Sequence, residues 1–360
     1  MIMGRNDGGA TNEALVNESL SKASSRVSLA HVEGIVHQHY GIHGQATVMT
    51  SERDQNFKIT APDGREFAFR VSNPAEPPEV NDFQLAAMQH IACADPDLPV
   101  PRVIRTLNGE AHLSLPFDKG ELRSVRMISY LPGDVMLGVP RSAALRHNLG
   151  DALARMGHAL RDFHHPGAFH ELAWDLKHTP RVRGLLEHID DAELRALTQS
   201  FADTFVTRVA PVLPTLRAQV VHNDLNLHNV LVDPAQPERV VGILDFGDLV
   251  HTALIVDVAV GASYHFADSA TDPWLKVIEF VTAYHARVPL SAQELDLLYD
   301  LIAARYVVTI AITGWRAKRY PENGGYILKN HARSCTGLHL LSILNRDDAS
   351  ARLRLACNME

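Results

Sequence analysis

The stretch Val220–Val232, VVHNDLNLHNVLV, sets His222, Asp224 and Asn229 between two short apolar runs in the spacing H-x-D-x4-N. A second apolar run, RVVGILDFGD, ends in Asp245-Phe246-Gly247. Two carboxylates and an amide oxygen are hard oxygen donors of the kind Mg2+ accepts while it keeps waters and phosphate oxygens in its shell. Phosphoryl transfer asks for that charge at the phosphates, for an in-line hydroxyl, and for a carboxylate to position the hydroxyl and take its proton. Asp224 suits the proton-accepting role, and Asn229 with Asp245 suits the metal. His222 belongs to the same catalytic loop and is better placed to brace it by hydrogen bonds than to react. The competing reading is a plain Asn-rich turn between two strands, since these residues also favour turns.

The strand after Asn229 and the strand before Asp245 would pair as a hairpin, with DPAQPERV as the turn. Upstream, a helix capped by Ser28 runs through LAHVEGIVHQHY to Gly41. Strands follow at ATVMTS, NFKITA and EFAFRVS, the last two joined by a PDG turn. A helix over VNDFQLAAMQHIACA and strands at AHLSLPF and SVRMISYL complete about five antiparallel strands. The breaker LPGD, Leu131 to Asp134, reads as a hinge. Beyond it the periodicity is helical over SAALRHNLGDALARMGHALRDFHH, partly over DTFVTRVAPVLPTLRA, and over SAQELDLLYDLIAARYVVTIAITGW, where Ser291 and Glu294 form a capping box. The division is a tail at 1–27, an N-terminal lobe at 28–131, a C-terminal lobe at 132–346 and a tail at 347–360.

The chain has 360 residues, enough for two lobes, and a formal net charge of -8, which leaves no basic excess for nucleic acid. Three scattered cysteines without a C-x-x-C pair, and no secretory pattern at the N-terminus, suit the cytoplasm. The apolar runs TALIVDVAVGA and LIAARYVVTIAITGW are each broken by a charge and are too short to span a bilayer.

These motifs resemble the aminoglycoside phosphotransferase and choline kinase superfamily, small-molecule kinases with a protein-kinase-like fold. SERDQNF, FRVSNP, LPVPRVI, WDL and LDFGDLVHT resemble its hydroxylysine kinase subgroup, and the likeness spans roughly Leu29 to Leu344. The resemblance implies an α+β bilobal fold, with a small antiparallel-sheet N-lobe and a larger, mainly helical C-lobe. It implies Asp224 as catalytic base, Asn229 and Asp245 as magnesium ligands, and ATP or GTP as phosphate donor to a small amine-bearing alcohol such as hydroxylysine. An aminoglycoside- or choline-type acceptor, and a catalytically weak nucleotide-binding regulator, are the alternatives.

It further implies that Thr50–Asn56 covers the nucleotide phosphates, with Ser51, Arg53 and Asn56 as contacts, and that the edge Met127 to Leu131 offers backbone groups to the purine, with Ser129 and Leu131 as contacts. Two positions depart from the family. Arg70 stands where a strand lysine is usual and Gln84 where its helix glutamate is usual. Arginine keeps the charge in a different geometry, and Glu79 or Asp82 is the candidate compensating carboxylate. Asn223 replaces a common glycine and tolerates left-handed backbone. Asp257 would fix the loop carrying His222. Asp248 is either a solvated turn residue or a contact for a substrate ammonium. Trp315 with Arg316 is either core or a pair for the ammonium and carboxylate of an amino-acid substrate.

Overall fold

The computed structural model describes residues 26–50, 54–267 and 272–359. Ser28 caps the first helix, α1 (Leu29–Tyr40), by accepting from the His31 N–H, and Gly41 ends it in left-handed backbone at φ 67°. β1 (Gln45–Met49), β2 (Gln55–Thr60) and β3 (Glu66–Val71) follow as an antiparallel meander. Alternate residues Phe57, Ile59, Phe67 and Phe69 point to one face and meet Val32, Val36 and Tyr40 of α1 in the N-lobe core. Helix α2 (Pro78–Ala94) comes next, then β4 (Val103–Ile104), β5 (His112–Pro116) and β6 (Leu122–Ser129). The sheet order is β1-β2-β3-β6-β4, with β5 also on β6, so it has six strands rather than five. The additional one, β4, is two residues long and follows two prolines, too short to show a period.

Phe83, Leu85, Met88 and Ile91 of α2 join the core of the C-terminal lobe, not that of the sheet. A bidentate pair strengthens this seam: Arg155 donates to both oxygens of Asp95, at 2.7 and 2.8 Å.

Gly133 lies in the linker at φ 145°, and a Cβ there would sit 2.8 Å from Val241 and 3.0 Å from the Val232 carbonyl. That close approach lets β7 (Asp134–Val135) pair with β9 (Val230–Val232), which pairs in turn with β10 (Val240–Ile243). β8 (Ala218–Val221) pairs with β11 (Val250–Ala253). Helices α3 (Ala143–Ala159), α4 (Ala192–Thr204), α5 (Leu254–Phe266), α6 (Pro273–Arg287) and α7 (Ala292–Arg319) build the lobe around these ribbons. Ser291 and Glu294 form the expected capping box of α7.

The stretch DTFVTRVAPVLPTLRA is helical in part, as expected: α4 runs to Thr204, a π-helix continues it over Phe205–Val209, and only a short 3-10 turn at Leu213–Thr215 follows, in a segment where Pro211 and Pro214 supply no N–H. One expectation is corrected. Residues 347–359 are not a tail. After short α8 (Gly324–Ile327) and α9 (His331–Ile343), they belong largely to α10 (Arg346–Ala356), which buries Ala349 and Leu353 and accepts the Trp274 indole N–H at the Ala349 carbonyl, 2.9 Å away. Residues 1–25 of the expected N-terminal tail lie outside the described residues. No helix among the described residues is long and apolar enough to cross a membrane.

Candidate active site

The loop His222–Asn229 joins β8 to β9 and is braced from below. Asn223 adopts φ 64°, the left-handed backbone expected of it. Its N–H and that of His222 both donate to Asp257, at 2.7 and 3.3 Å. Asp257 lies in the first turn of α5, where burial pushes its carboxyl up against the pull of His222 and these two donors. The His222 ring accepts the Asp224 N–H at Nδ1 (3.3 Å), so Nε2 carries the proton and donates to the Leu244 carbonyl at 3.0 Å. His222 therefore ties the catalytic loop to the strand leading to Asp245. Burial pushes its pKa down, which keeps it neutral for that task.

The expected hairpin forms, β9 against β10, and the Leu244 N–H donates to the Asn229 carbonyl at 2.7 Å. This leash sets Asp245 beside Asn229. Asn229 Nδ2 donates to Asp224 Oδ2 (2.8 Å) and to the Asp224 carbonyl (3.0 Å), and its Oδ1 takes no hydrogen bond among the described residues, which leaves it to a metal. Asp245 is exposed, holds φ 60°, and accepts the Gly247 N–H at 3.1 Å. A Cβ on Gly247 would lie 2.9 Å from that carboxylate oxygen. An amide oxygen and an exposed carboxylate fit a hard divalent cation.

Asp224 Oδ2 also accepts from Asn226 at 2.8 Å, while Oδ1 meets Arg305 Nη2 at 2.9 Å. Its side chain is 16% exposed. Burial lifts its pKa to about 6 against the opposing pull of Arg305, within the range of a working general base. Arg305 lies 81 residues away on α7 and was not singled out in the sequence. The signal was nonetheless there: the charges that break the two apolar runs are Asp257 and Arg305, and both hold this one loop. A lone charge in a buried run must find a partner.

On the N-lobe side, Arg70 Nη2 meets Glu76 at 2.6 Å and Asp54 at 2.7 Å, and its Nη1 donates to Gln84 at 3.1 Å. The compensating carboxylates are thus Glu76 and Asp54. Glu79 is exposed, and Asp82 pairs with His112 at 3.0 Å. Gln84 turns its amide nitrogen toward the Gly247 carbonyl, 3.5 Å away, so one side chain links Arg70 to the metal loop. A second cation, Arg126, lies opposite Arg70 on β6. Burial and Arg70 push its pKa down to about 9.

Asn56 pairs with Arg70 across β2 and β3. Ser51 and Arg53 lie outside the described residues. Ser129 is occupied, its N–H on the Arg102 carbonyl (2.8 Å) and its hydroxyl on the Arg102 N–H (2.9 Å). Leu131 keeps its backbone groups unused among the described residues. Asp248 follows Gly247 and lies within electrostatic reach of Arg305 and Tyr264. Trp315 and Arg316 are not brought to this site. Both are buried, 3% and 6% exposed, and sit about 15 Å beyond Arg305 along the same helix.

Residues 47–295 match the family described as the phosphotransferase enzyme family. A hydroxylysine kinase of Danio rerio is 26% identical over 345 residues, covering 92% of this chain and 97% of its own. A hydroxylysine kinase of Mus musculus is 28% identical over 302 residues, covering 78% and 80%. Among solved structures, a microcompartment-associated aminopropanol kinase superposes with a TM-score of 0.68 at 19% identity, covering 88% of this chain and 98% of that one, a likeness of fold.

Proposed function

The chain belongs to the phosphotransferase enzyme family and transfers phosphate to a hydroxyl group, and from that premise we propose that it moves the γ-phosphate of ATP or GTP to the hydroxyl of an amine-bearing metabolite, hydroxylysine or a close relative. The observation that carries the reading is Asp224, held on one oxygen by Asn229 and Asn226 and on the other by Arg305, next to the donor pair Asn229 and Asp245. Asp224 orients the acceptor hydroxyl and takes its proton as the phosphoryl group is transferred. With a pKa of about 6 it is mostly ionised at neutral pH, yet basic enough to accept. Asn229 Oδ1 and Asp245 would hold magnesium, which when bound supplies positive charge at the phosphates. Arg70 faces the same phosphates, and Leu131 offers its backbone to the purine.

The similarity to two hydroxylysine kinases supports the acceptor class. A polycationic aminoglycoside or choline would want an acidic surround. Asp224 instead has Arg305 against it, with Lys329 adding positive charge nearby. The weak-regulator reading loses its motive, because Arg70 retains two carboxylate partners and its Gln84 contact.

The test is a mass-resolved screen of the purified protein with Mg-ATP and Mg-GTP against hydroxylysine, amino alcohols, choline and aminoglycosides. Asp224→Asn should lower turnover about 10²-fold or more while nucleotide affinity stays. Asp245→Asn should shift the magnesium titration of nucleotide binding to higher concentration. Wild-type turnover by Asp224→Asn would remove the base assignment.

A further inference from the structure

Arg305 does more than the transfer chemistry requires of it. It sits in the middle of α7, 5% exposed, with Nη2 on Asp224 (2.9 Å) and on the Tyr264 hydroxyl (3.1 Å). Its Cζ lies 5.7 Å from the Trp174 ring and 5.9 Å from the Tyr264 ring, so two aromatic side chains fix the guanidinium plane. Nε and Nη1 are buried and have no hydrogen-bond partner among the described residues. Buried donors left unpaired are costly, and a guanidinium offers five of them in a fixed fork. Holding Asp224 does not explain an arginine here, since the Asn226 and Asn229 amides already grip that side chain at 2.8 Å each.

The surroundings extend the positive field. Lys329 acts electrostatically on Asp224, and His228 of the same loop is pushed down by burial and then by Lys329 and Arg333. Asp248 supplies a negative charge within reach of Arg305. One cation without a full set of partners, touching the base, with an acid nearby, is the complement of a zwitterion.

We infer that Arg305 recognises a carboxylate of the acceptor through its unpaired nitrogens, which makes the substrate a hydroxylated amino acid rather than a simple amino alcohol. The inference rests on the phosphotransfer reading and narrows it. Because Arg305 and Asp224 touch, the carboxylate and the reacting hydroxyl are held within the length of one amino acid. Arg305 thereby determines specificity as well as positioning the base.

The experiment compares 5-hydroxylysine with its decarboxylated counterpart, 1,5-diaminopentan-2-ol, in wild type, Arg305→Lys and Arg305→Gln, reading kcat and KM separately. Wild type should favour the carboxylated acceptor by about 10⁴-fold in kcat/KM, the discrimination expected when a site built to bind a polar group meets an analogue lacking it. In Arg305→Gln that preference should collapse toward unity, chiefly through KM for hydroxylysine, and Arg305→Lys should restore part of it. If Arg305 only positions Asp224, both acceptors lose the same factor and the preference persists, which overturns the inference. Should Arg305→Gln not fold, wild type alone decides, because equal use of the two acceptors also overturns it. Phosphorylation of the amino alcohol's hydroxyl but not of hydroxylysine leaves the phosphotransfer reading standing and removes this one. No phosphorylated product from any acceptor removes both.

Discussion

Replacing Arg70 by methionine would leave Glu76 and Asp54 facing the same emptied position, each only 16% exposed. Removing one partner of a buried pair costs about 3–5 kcal/mol, because the remaining charge is neither solvated nor paired. Here two carboxylates are stranded beside Asp245, so Arg70→Met should lose about 3 kcal/mol of stability at neutral pH. The phosphates would also lose the Arg70 cation, and Mg-nucleotide affinity should fall about 10²-fold. Arg70→Lys keeps a cation near Glu76 and Asp54 but cannot fork to Gln84 at the same time, and should lose about 1 kcal/mol, one hydrogen bond. The informative variant is the triple Asp54→Asn, Glu76→Gln, Arg70→Met. It removes the stranded charge and should recover most of the stability without recovering nucleotide affinity. Urea unfolding and calorimetric titration of Mg-ADP read the two quantities. A triple variant as unstable as Arg70→Met would refute the electrostatic account, and wild-type nucleotide affinity in Arg70→Met would refute the phosphate role.

Two further outcomes follow from the braces around the site. Asp257→Asn keeps one acceptor oxygen for two converging N–H groups and turns an amide donor toward the other. It should cost about 2 kcal/mol and lower kcat with little change in nucleotide affinity. Hydrogen exchange at the Asn223 amide checks it, since an unchanged rate would mean the loop does not hang on Asp257. The Asp95–Arg155 pair tests pH dependence. The hydrogen bonds from Arg155 hold the Asp95 carboxyl below its ordinary value, so the folded state favours its ionised form. That contribution, about 1 kcal/mol for a partly exposed bidentate pair, is whole above the unfolded carboxyl pKa of about 4 and fades as pH falls through the lower folded value. The stability gap between wild type and Arg155→Leu should therefore be present at pH 7 and shrink toward pH 2. A gap independent of pH would exclude the ion pair as its source.

Much of this protein is written in neighbouring residues. The Ser28 cap, the Gly41 stop, the hairpin between Ile59 and Phe67 and the capping box at Ser291 depend on groups a few positions apart. The centre of the site is local in the same sense. Asp224 and Asn229 share one loop, and a short hairpin returns the chain so that Asp245 must arrive beside Asn229, whatever surrounds them. Alternatives stayed open where local pattern carries no partner information. Trp315 and Arg316 fitted either core or a substrate pair, and they are core, because nothing in helical spacing says which face of α7 meets the loop.

What only the tertiary structure decided is who neutralises whom. The sequence could announce that Asp257 and Arg305, alone in apolar runs, needed partners. The place of Asp257 beneath the loop of His222 was already expected; helix packing determined that Arg305 reaches the same loop, and that Glu76 and Asp54 rather than Glu79 or Asp82 answer Arg70. The physical reason is range. Backbone hydrogen bonding and turn geometry act between residues close in sequence, whereas the pairing of a buried charge depends on distances set only when whole helices and sheets have packed.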